Sequence, residues 1–204
     1  MEKAAIKIGW IGTGVMGKSM CGHLMKKGYK LQIYTRTASK AQDLINEGAE
    51  FAEPKVIAQN SDFLFLMLGY PHDVENVVLD EKTGILQHMK EGSVLVDHTT
   101  SSPGLALKIY QEALKKGVRS LDAPVSGGDI GARNGTLVTM VGGEKEAVDQ
   151  TMDIFKTYSA EVQHMGEAGA GQHTKMANQI MIANTMIGVC EALIYGHKAG
   201  LDLH

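Results

Sequence analysis

Apolar residues fall along this chain in short continuous runs separated by amphipathic stretches. Runs at Ile6–Gly12, Lys30–Tyr34, Asp62–Leu68, Ser93–Asp97 and Val118–Asp122 predict strands, and Leu137–Val141 and Glu161–His164 predict two more. Helical periodicity fills the gaps at Met16–Lys27, Ser39–Glu47, Pro103–Lys116 and Glu144–Thr157. The early strands are continuously apolar rather than alternating, as expected for a parallel sheet covered on both faces. Strand–helix repetition of this kind implies βαβ units with right-handed crossovers. The pattern therefore predicts a Rossmann-type α/β domain, a doubly wound and mostly parallel sheet, over 1–166.

From about Ala168 the period changes. "QHTKMANQIMIANTMIGVCEALIYGHKAG" predicts one long helix with no strand partner. Met176, Ile180, Ala183 and Ile187 form one stripe, and Ile182, Met186 and Val189 a second face. A helix apolar all round is expected to be buried against other helices. Gly200 is placed to cap its C-terminus. Residues 167–204 are thus expected to be the first helix of an all-helical domain whose remainder is missing or replaced by a partner subunit.

Local chemistry sharpens the picture. "IGWIGTGVMGKSM" puts Gly12, Gly14 and Gly17 in G-x-G-x-x-G register between the first strand and the first helix, the context that gives the motif meaning. Gly12 permits the turn, Gly14 lets backbone approach a pyrophosphate, and Gly17 allows close helix–strand packing. Free N–H groups and the positive dipole end at the helix start favour phosphates. The second strand ends "IYTRTASK": Thr35, Arg36, Thr37, Ser39 and Lys40 stand where an NAD-preferring fold carries Asp or Glu. An Arg fork suits a 2′-phosphate, so the expected cofactor is NADP, with NAD the alternative. "FLFLMLGYPHDV" ends a strand at Leu68, which makes Met67, Leu68 and Tyr70 candidates to line the cofactor or an ordinary strand-to-helix turn. In "VDHTTSSPG", Ser102 is best placed as N-cap before Pro103. Capping accounts for one hydroxyl, not for Thr99, Thr100 and Ser101 as well. Ser126, Gly127 and Gly128 form a backbone-exposing loop that could be a carboxylate nest or a flexible turn.

"GAGQHTKMANQ" places Lys175, Asn178 and Gln179 at i, i+3 and i+4, on one helix face. Gly171, four residues before the lysine, is expected to leave room for a ligand. A desolvated lysine could exchange a proton with an alkoxide formed by hydride transfer. Pattern alone favours a lysine turned to water.

Five separated stretches together resemble one family. "GTGVMGKSM", "DHTTSSP", "DAPVSGG", "GTLVTMVGG" and "GAGQHTKMANQ" occur in the order and spacing of the β-hydroxyacid dehydrogenases, the group containing 3-hydroxyisobutyrate dehydrogenase and tartronate semialdehyde reductase. The resemblance implies that Lys175 is the general acid/base and that Asn178 and Gln179 orient substrate or lysine. It implies that Ser126, Gly127 and Gly128 hold a substrate carboxylate, with Thr100 beside them. Gly12, Thr13, Gly14, Val15, Met16, Gly17, Met67, Leu68 and Thr99 would then contact the cofactor, joined by Thr35, Arg36, Thr37 and Lys40. The Asn178–Gln179 pair looks more like the tartronate semialdehyde branch than the Asn-Asn of 3-hydroxyisobutyrate enzymes. Two departures stand out. His98 replaces a residue that is usually apolar or small; it could touch cofactor or substrate, but is expected to be a solvated strand-end histidine. Members of the family also continue beyond the long helix into an all-helical domain.

Composition narrows the alternatives. A formal net charge of −3 with 21 % charged residues argues against nucleic acid or an anionic membrane as partner. No uninterrupted apolar run approaches the roughly 20 residues of a membrane span, and no signal-length apolar core precedes Gly12. Cys21 and Cys190 read as reduced thiols, Cys190 as a small core residue of the helix. A cytoplasmic protein is expected. His72, His98, His164 and His173 have no metal-ligand companions in sequence, and no G-x-S-x-G elbow occurs. The expected activity is hydride transfer between NADP(H) and a small 3-hydroxy acid or its semialdehyde. The rivals are a non-catalytic nucleotide-binding or assembly module and a fragment of a longer dehydrogenase. An exposed apolar helix would favour a homo-oligomer.

Overall fold

The computed structural model of the protein describes residues 5–203. Its strands are β1 (Lys7–Ile11), β2 (Lys30–Tyr34), β3 (Glu50–Phe51), β4 (Phe63–Leu66), β5 (Val94–Asp97), β6 (Arg119–Asp122), β7 (Val125–Ser126), β8 (Leu137–Gly142) and β9 (Ser159–Gly166). Its helices are α1 (Val15–Lys26), α2 (Gln42–Asn46), α3 (Pro54–Asn60), α4 (Pro71–Leu79), α5 (Pro103–Leu114), α6 (Gly128–Asn134), α7 (Lys145–Phe155) and α8 (Ala170–Lys198). The sheet order is β3-β2-β1-β4-β5-β6-β8-β7, with β9 beside β8. β1 to β6 pair in parallel, β8 runs antiparallel to β6 and β7, and β9 is parallel to β8. This is the doubly wound, mostly parallel sheet that the apolar runs predict.

Both faces of the sheet are covered, which is why its central strands carry no polar alternation. In β4, Phe65 faces a core shared with Met20, Cys21 and Leu24 of α1 and Ile154 and Phe155 of α7. Its neighbours Leu64 and Leu66 face Ile57 of α3, Val74 and Val78 of α4, and Ile109 of α5. The sequence pattern passes over β3, β7, α3, α4 and α6. Each is two to nine residues long, too short for a periodicity to declare itself. α5 begins as expected, with the Ser102 hydroxyl accepting from Leu105 N at 3.1 Å. Gly200 follows α8 with φ +76°, the left-handed cap geometry.

α8 departs from expectation. Of its 29 residues only Gly171, Gln172, Lys175 and Gly196 are buried. Its first turns lie against β6, β8, β9 and α5, and near its C-terminus Leu201 and Leu203 fold back on Gly196, while the stretch between is open among the described residues. Ile180, Met181, Met186, Ile187, Leu193 and Ile194 are therefore exposed, as is Cys190, which is not a core residue. α8 also meets the length and composition of a membrane-crossing helix. Counting uninterrupted apolar runs hides this, because single Asn, Thr and Gly residues break each run without making the helix polar.

Candidate active site

The turn after β1 is built by contacts only glycine allows. Gly12 has φ +101°, and a Cβ there would lie 2.2 Å from Met67 O. A Cβ on Gly17 would lie 2.1 Å from Gly12 O, so α1 packs directly on the turn. Gly14 meets nothing within 4 Å, leaving its backbone open to the crevice. Trp10 completes the turn, its indole N–H donating to Gly12 O at 3.0 Å.

Around this turn lies a crevice of about 530 Å³. Gly12, Gly14, Val15, Met16, Gly17, Thr35, Arg36, Thr37, Lys40, Met67 and Leu68 line it, so most of the residues chosen from sequence converge there. Thr13 is buried behind the lining, and its Oγ1 has no hydrogen-bond partner among the described residues. An orphan hydroxyl in a glycine turn, an open Gly14 and a free helix N-terminus together suit a dinucleotide pyrophosphate. Thr99 stands one layer deeper: it is buried and its Oγ1 accepts from Leu68 N at 2.9 Å. Tyr70 points outward instead and stacks on His72 with ring centroids 5.5 Å apart. At the ribose end, Arg36 reaches Asp73 Oδ1 of α4 at 3.5 Å, and Asp73 also lines the crevice.

The second half of the site comes from β7, α6 and α8. Ser126 Oγ donates to Asn178 Oδ1 at 3.4 Å, joining the glycine loop to the lysine helix. Gly127 and Gly128 follow with φ +128° and +62°, exposed, at the start of α6. Lys175 is 8 % exposed and has no hydrogen bond or salt bridge among the described residues. Burial alone holds its ammonium pKa below the ordinary 10.5. Gln179 and Thr100 are exposed and take no part in this cluster.

Gly171 does not leave room for a ligand. A Cβ there would lie 2.4 Å from Asp122 O and 2.6 Å from Met140 O, so the space is filled by strand backbone. His98 is also not solvated. It is fully buried, with Nδ1 2.6 Å from Ala123 O and Nε2 2.9 Å from the Tyr158 hydroxyl. It stacks with Trp10 and Phe65, and burial lowers its pKa from 6.5 to about 4. Beside it, Asp97 is raised from 3.8 to about 7, chiefly by burial and further by Asp122, against the lowering hydrogen bonds from Thr99.

Sequence reasoning missed Trp10, Asp73, Asp122 and Gln172. Asp122 was visible only as the first letter of "DAPVSGG", and Gln172 only as a neighbour of the lysine. Their partners lie 47 to 73 residues away in the chain, beyond what local pattern carries.

Comparison with known proteins agrees with this geometry. Residues 7–166 match the family model described as the NAD binding domain of 6-phosphogluconate dehydrogenase. Residues 169–204 match the NAD-binding model of NADP-dependent 3-hydroxyisobutyrate dehydrogenase. The 3-hydroxyisobutyrate dehydrogenase-like protein 1 of Arabidopsis thaliana is 53 % identical over 198 residues, covering 97 % of this chain and 59 % of its own length. Among solved structures, the Mycobacterium tuberculosis 3-hydroxyisobutyrate dehydrogenase with L-serine superposes with a TM-score of 0.89 at 28 % identity, covering 97 % of this chain and 67 % of that one. Psf3 in complex with NADP+ and 2-OPP gives 0.90 at 28 %, covering 96 % and 69 %. The domain is thus one that binds a nicotinamide dinucleotide, and the chain belongs to the β-hydroxyacid dehydrogenase family.

Proposed function

We propose that this chain supplies the cofactor crevice and proton-transfer lysine of a reversible dehydrogenase acting on a small 3-hydroxy acid or its semialdehyde, of 3-hydroxyisobutyrate or tartronate/succinic semialdehyde type, with NADP(H) favoured over NAD(H). The observation that carries the reading is Lys175: buried, without a counter-ion among the described residues, and on the same helix as the Asn178 that meets Ser126. The nicotinamide accepts or returns the hydride when bound. The residues of this chain do the rest. Lys175, whose charged form is disfavoured by desolvation, takes the hydroxyl proton as the C–H bond breaks and returns it in reduction. The Ser126 hydroxyl and the open backbone of Gly127 and Gly128 can hold the substrate carboxylate, and Asn178 fixes its distance from the lysine. Arg36 and Lys40 at the ribose end, with no acid at the end of β2, support NADP.

Assaying the chain against C3–C4 hydroxy acids and semialdehydes with NADPH and NADH tests this reading. Lys175→Ala is expected to keep cofactor binding and lose turnover by about 10²–10⁴-fold. Full activity in that variant overturns the assignment.

A further inference from the structure

Helix α8 begins without a capping side chain of its own. Its N-cap is Gly169, at φ +90°. The cap is supplied from elsewhere: Gly169 N donates to Asp122 Oδ1 at 2.7 Å and Gln172 N to Asp122 Oδ2 at 2.8 Å. Asp122 is the last residue of β6. Its carboxylate bridges the first free N–H groups of α8, as a local Asp cap would, and faces the positive end of the helix dipole. The contact leaves no slack. A Cβ on Gly142 would lie 2.6 Å from Asp122 Oδ1 and 2.7 Å from Gly171 N. A Cβ on Gly171 would meet strand backbone at 2.4 Å.

A second fixed point lies on the same turn. The Gln172 side chain is fully buried. Its Nε2 donates to Thr99 O at 2.7 Å, and its Oε1 accepts from Ser101 N at 2.9 Å. Thr99 in turn accepts from Leu68 N, and Leu68 lines the cofactor crevice. One line of hydrogen bonds thus runs from the crevice wall to the residue one helical turn before Lys175.

We propose that Asp122 and Gln172 are positioning residues: together they fix the height and rotation of the first turn of α8 so that Lys175 stays buried on the helix face it shares with Asn178. Two anchors are needed because one hydrogen-bonded point still lets a helix pivot. The two used here hold different groups, backbone N–H on Asp122 and side-chain amide on the 99–101 loop. This inference rests on Lys175 as the proton-transfer group.

The test uses Gln172→Met, which keeps side-chain length and removes both hydrogen bonds, Gln172→Glu, which keeps only the acceptor toward Ser101, and Asp122→Asn. Thermal unfolding reports folding, and fluorescence titration reports NADPH affinity. NMR of ¹³C-methylated lysines, assigned with Lys175→Arg, reports the Lys175 titration. Gln172→Met is expected to fold and bind NADPH as the parent does. Its Lys175 should titrate closer to an ordinary lysine, and kcat should fall by about 10-fold or more with KM little changed. Gln172→Glu is expected to lie between. Folded variants whose Lys175 titration and kcat match the parent overturn the proposal, as does a loss of NADPH affinity equal to the loss of kcat. If Asp122→Asn fails to fold, Gln172→Met decides alone. A parent Lys175 that titrates like a surface lysine overturns both this inference and the lysine's assigned role, whereas a depressed parent value with unperturbed variants overturns the lock alone.

Discussion

An arginine and an aspartate of the crevice lining, Arg36 and Asp73, face each other, and the proposed preference for NADP(H) can be tested on this pair. The Arg36 side chain is 83 % exposed, and its salt-bridge partner among the described residues is Asp73 at 3.5 Å. Exposed pairs of this kind contribute roughly 0.2–1 kcal/mol. A 2′-phosphate offers the same guanidinium charge-assisted hydrogen bonds worth about 1.5–3 kcal/mol. On these magnitudes a 2′-phosphate, if bound, would outcompete Asp73 for the arginine. Arg36→Ala is expected to weaken NADPH binding by about 10- to 100-fold and leave NADH binding little changed. Asp73→Asn should tighten NADPH by up to about fivefold. Direct titration of both cofactors checks each outcome, and equal effects on NADPH and NADH would remove Arg36 from the discrimination. At this scale much was legible in the sequence. Gly12, Gly14 and Gly17 announce themselves by spacing, whereas the burial of Lys175 was not legible from pattern alone, which favours a lysine turned to water. Gly171 was misread because a small residue makes room equally for a ligand or for strand backbone, and only the tertiary contact distinguishes them. Asp73 could not be read at all, since its partner lies 37 residues away.

Elements meet at the ends of β5 and β6, where buried ionisable groups make stability depend on pH in opposing ways. Folded His98, at about 4, lies below its ordinary 6.5. The unfolded chain binds more protons between those values, so this residue's contribution is present above pH 6.5 and is lost as pH falls toward 4. Folded Asp97, at about 7, lies above its ordinary 3.8. The folded state binds more protons in that window, so its contribution is present in acid and is lost as pH rises through 7. Each slope approaches 1.4 kcal/mol per pH unit, and they oppose each other over about pH 4.5–6. Asp122, raised chiefly by burial, adds to the Asp97 slope. Asp62, lowered by hydrogen bonds from Lys7 and Lys90 that outweigh its partial burial, works against it. The informative quantity is therefore each variant's departure from the parent. Asp97→Asn should make stability fall more steeply with acid, and His98→Gln should make it fall as pH rises. Denaturant unfolding at several pH values reads both, and slopes unchanged from the parent would refute the opposed pair. The elements carrying these groups were legible from their apolar runs. The burial of His98 was not, because a strand-end histidine is polar by identity and becomes core only through Trp10, Phe65, Phe155 and Tyr158 closing around it.

Among the described residues, a covered sheet carries a helix that is open over most of its length. α8 is about 43 Å long at 1.5 Å per residue, and Ile180, Ile187 and Ile194 recur every seven residues along it, all exposed. Contiguous exposed apolar surface of this kind usually marks an interaction site. The sequence showed its apolarity; that no described residue covers it emerged only from the fold. A bilayer is one solvent for such a helix by length and composition. Its first turns, however, are fixed to the sheet through Gly171 and Gln172, and the remainder carries Asn184 and Glu191. A carboxylate within the hydrocarbon costs of order 2–3 kcal/mol, whereas a helix–helix interface can place it at a solvated rim. We infer that the stripe mediates self-association. Light scattering should then give a mass above that of one chain, rising with concentration. Ile187→Glu should return the mass to one chain while leaving NADPH binding intact, because position 187 lies three turns beyond Lys175 and touches neither crevice nor sheet. A parent protein that stays a single chain at high concentration, or a variant of unchanged mass, would remove the stripe from assembly. Flotation with lipid vesicles instead would assign the same face to a membrane.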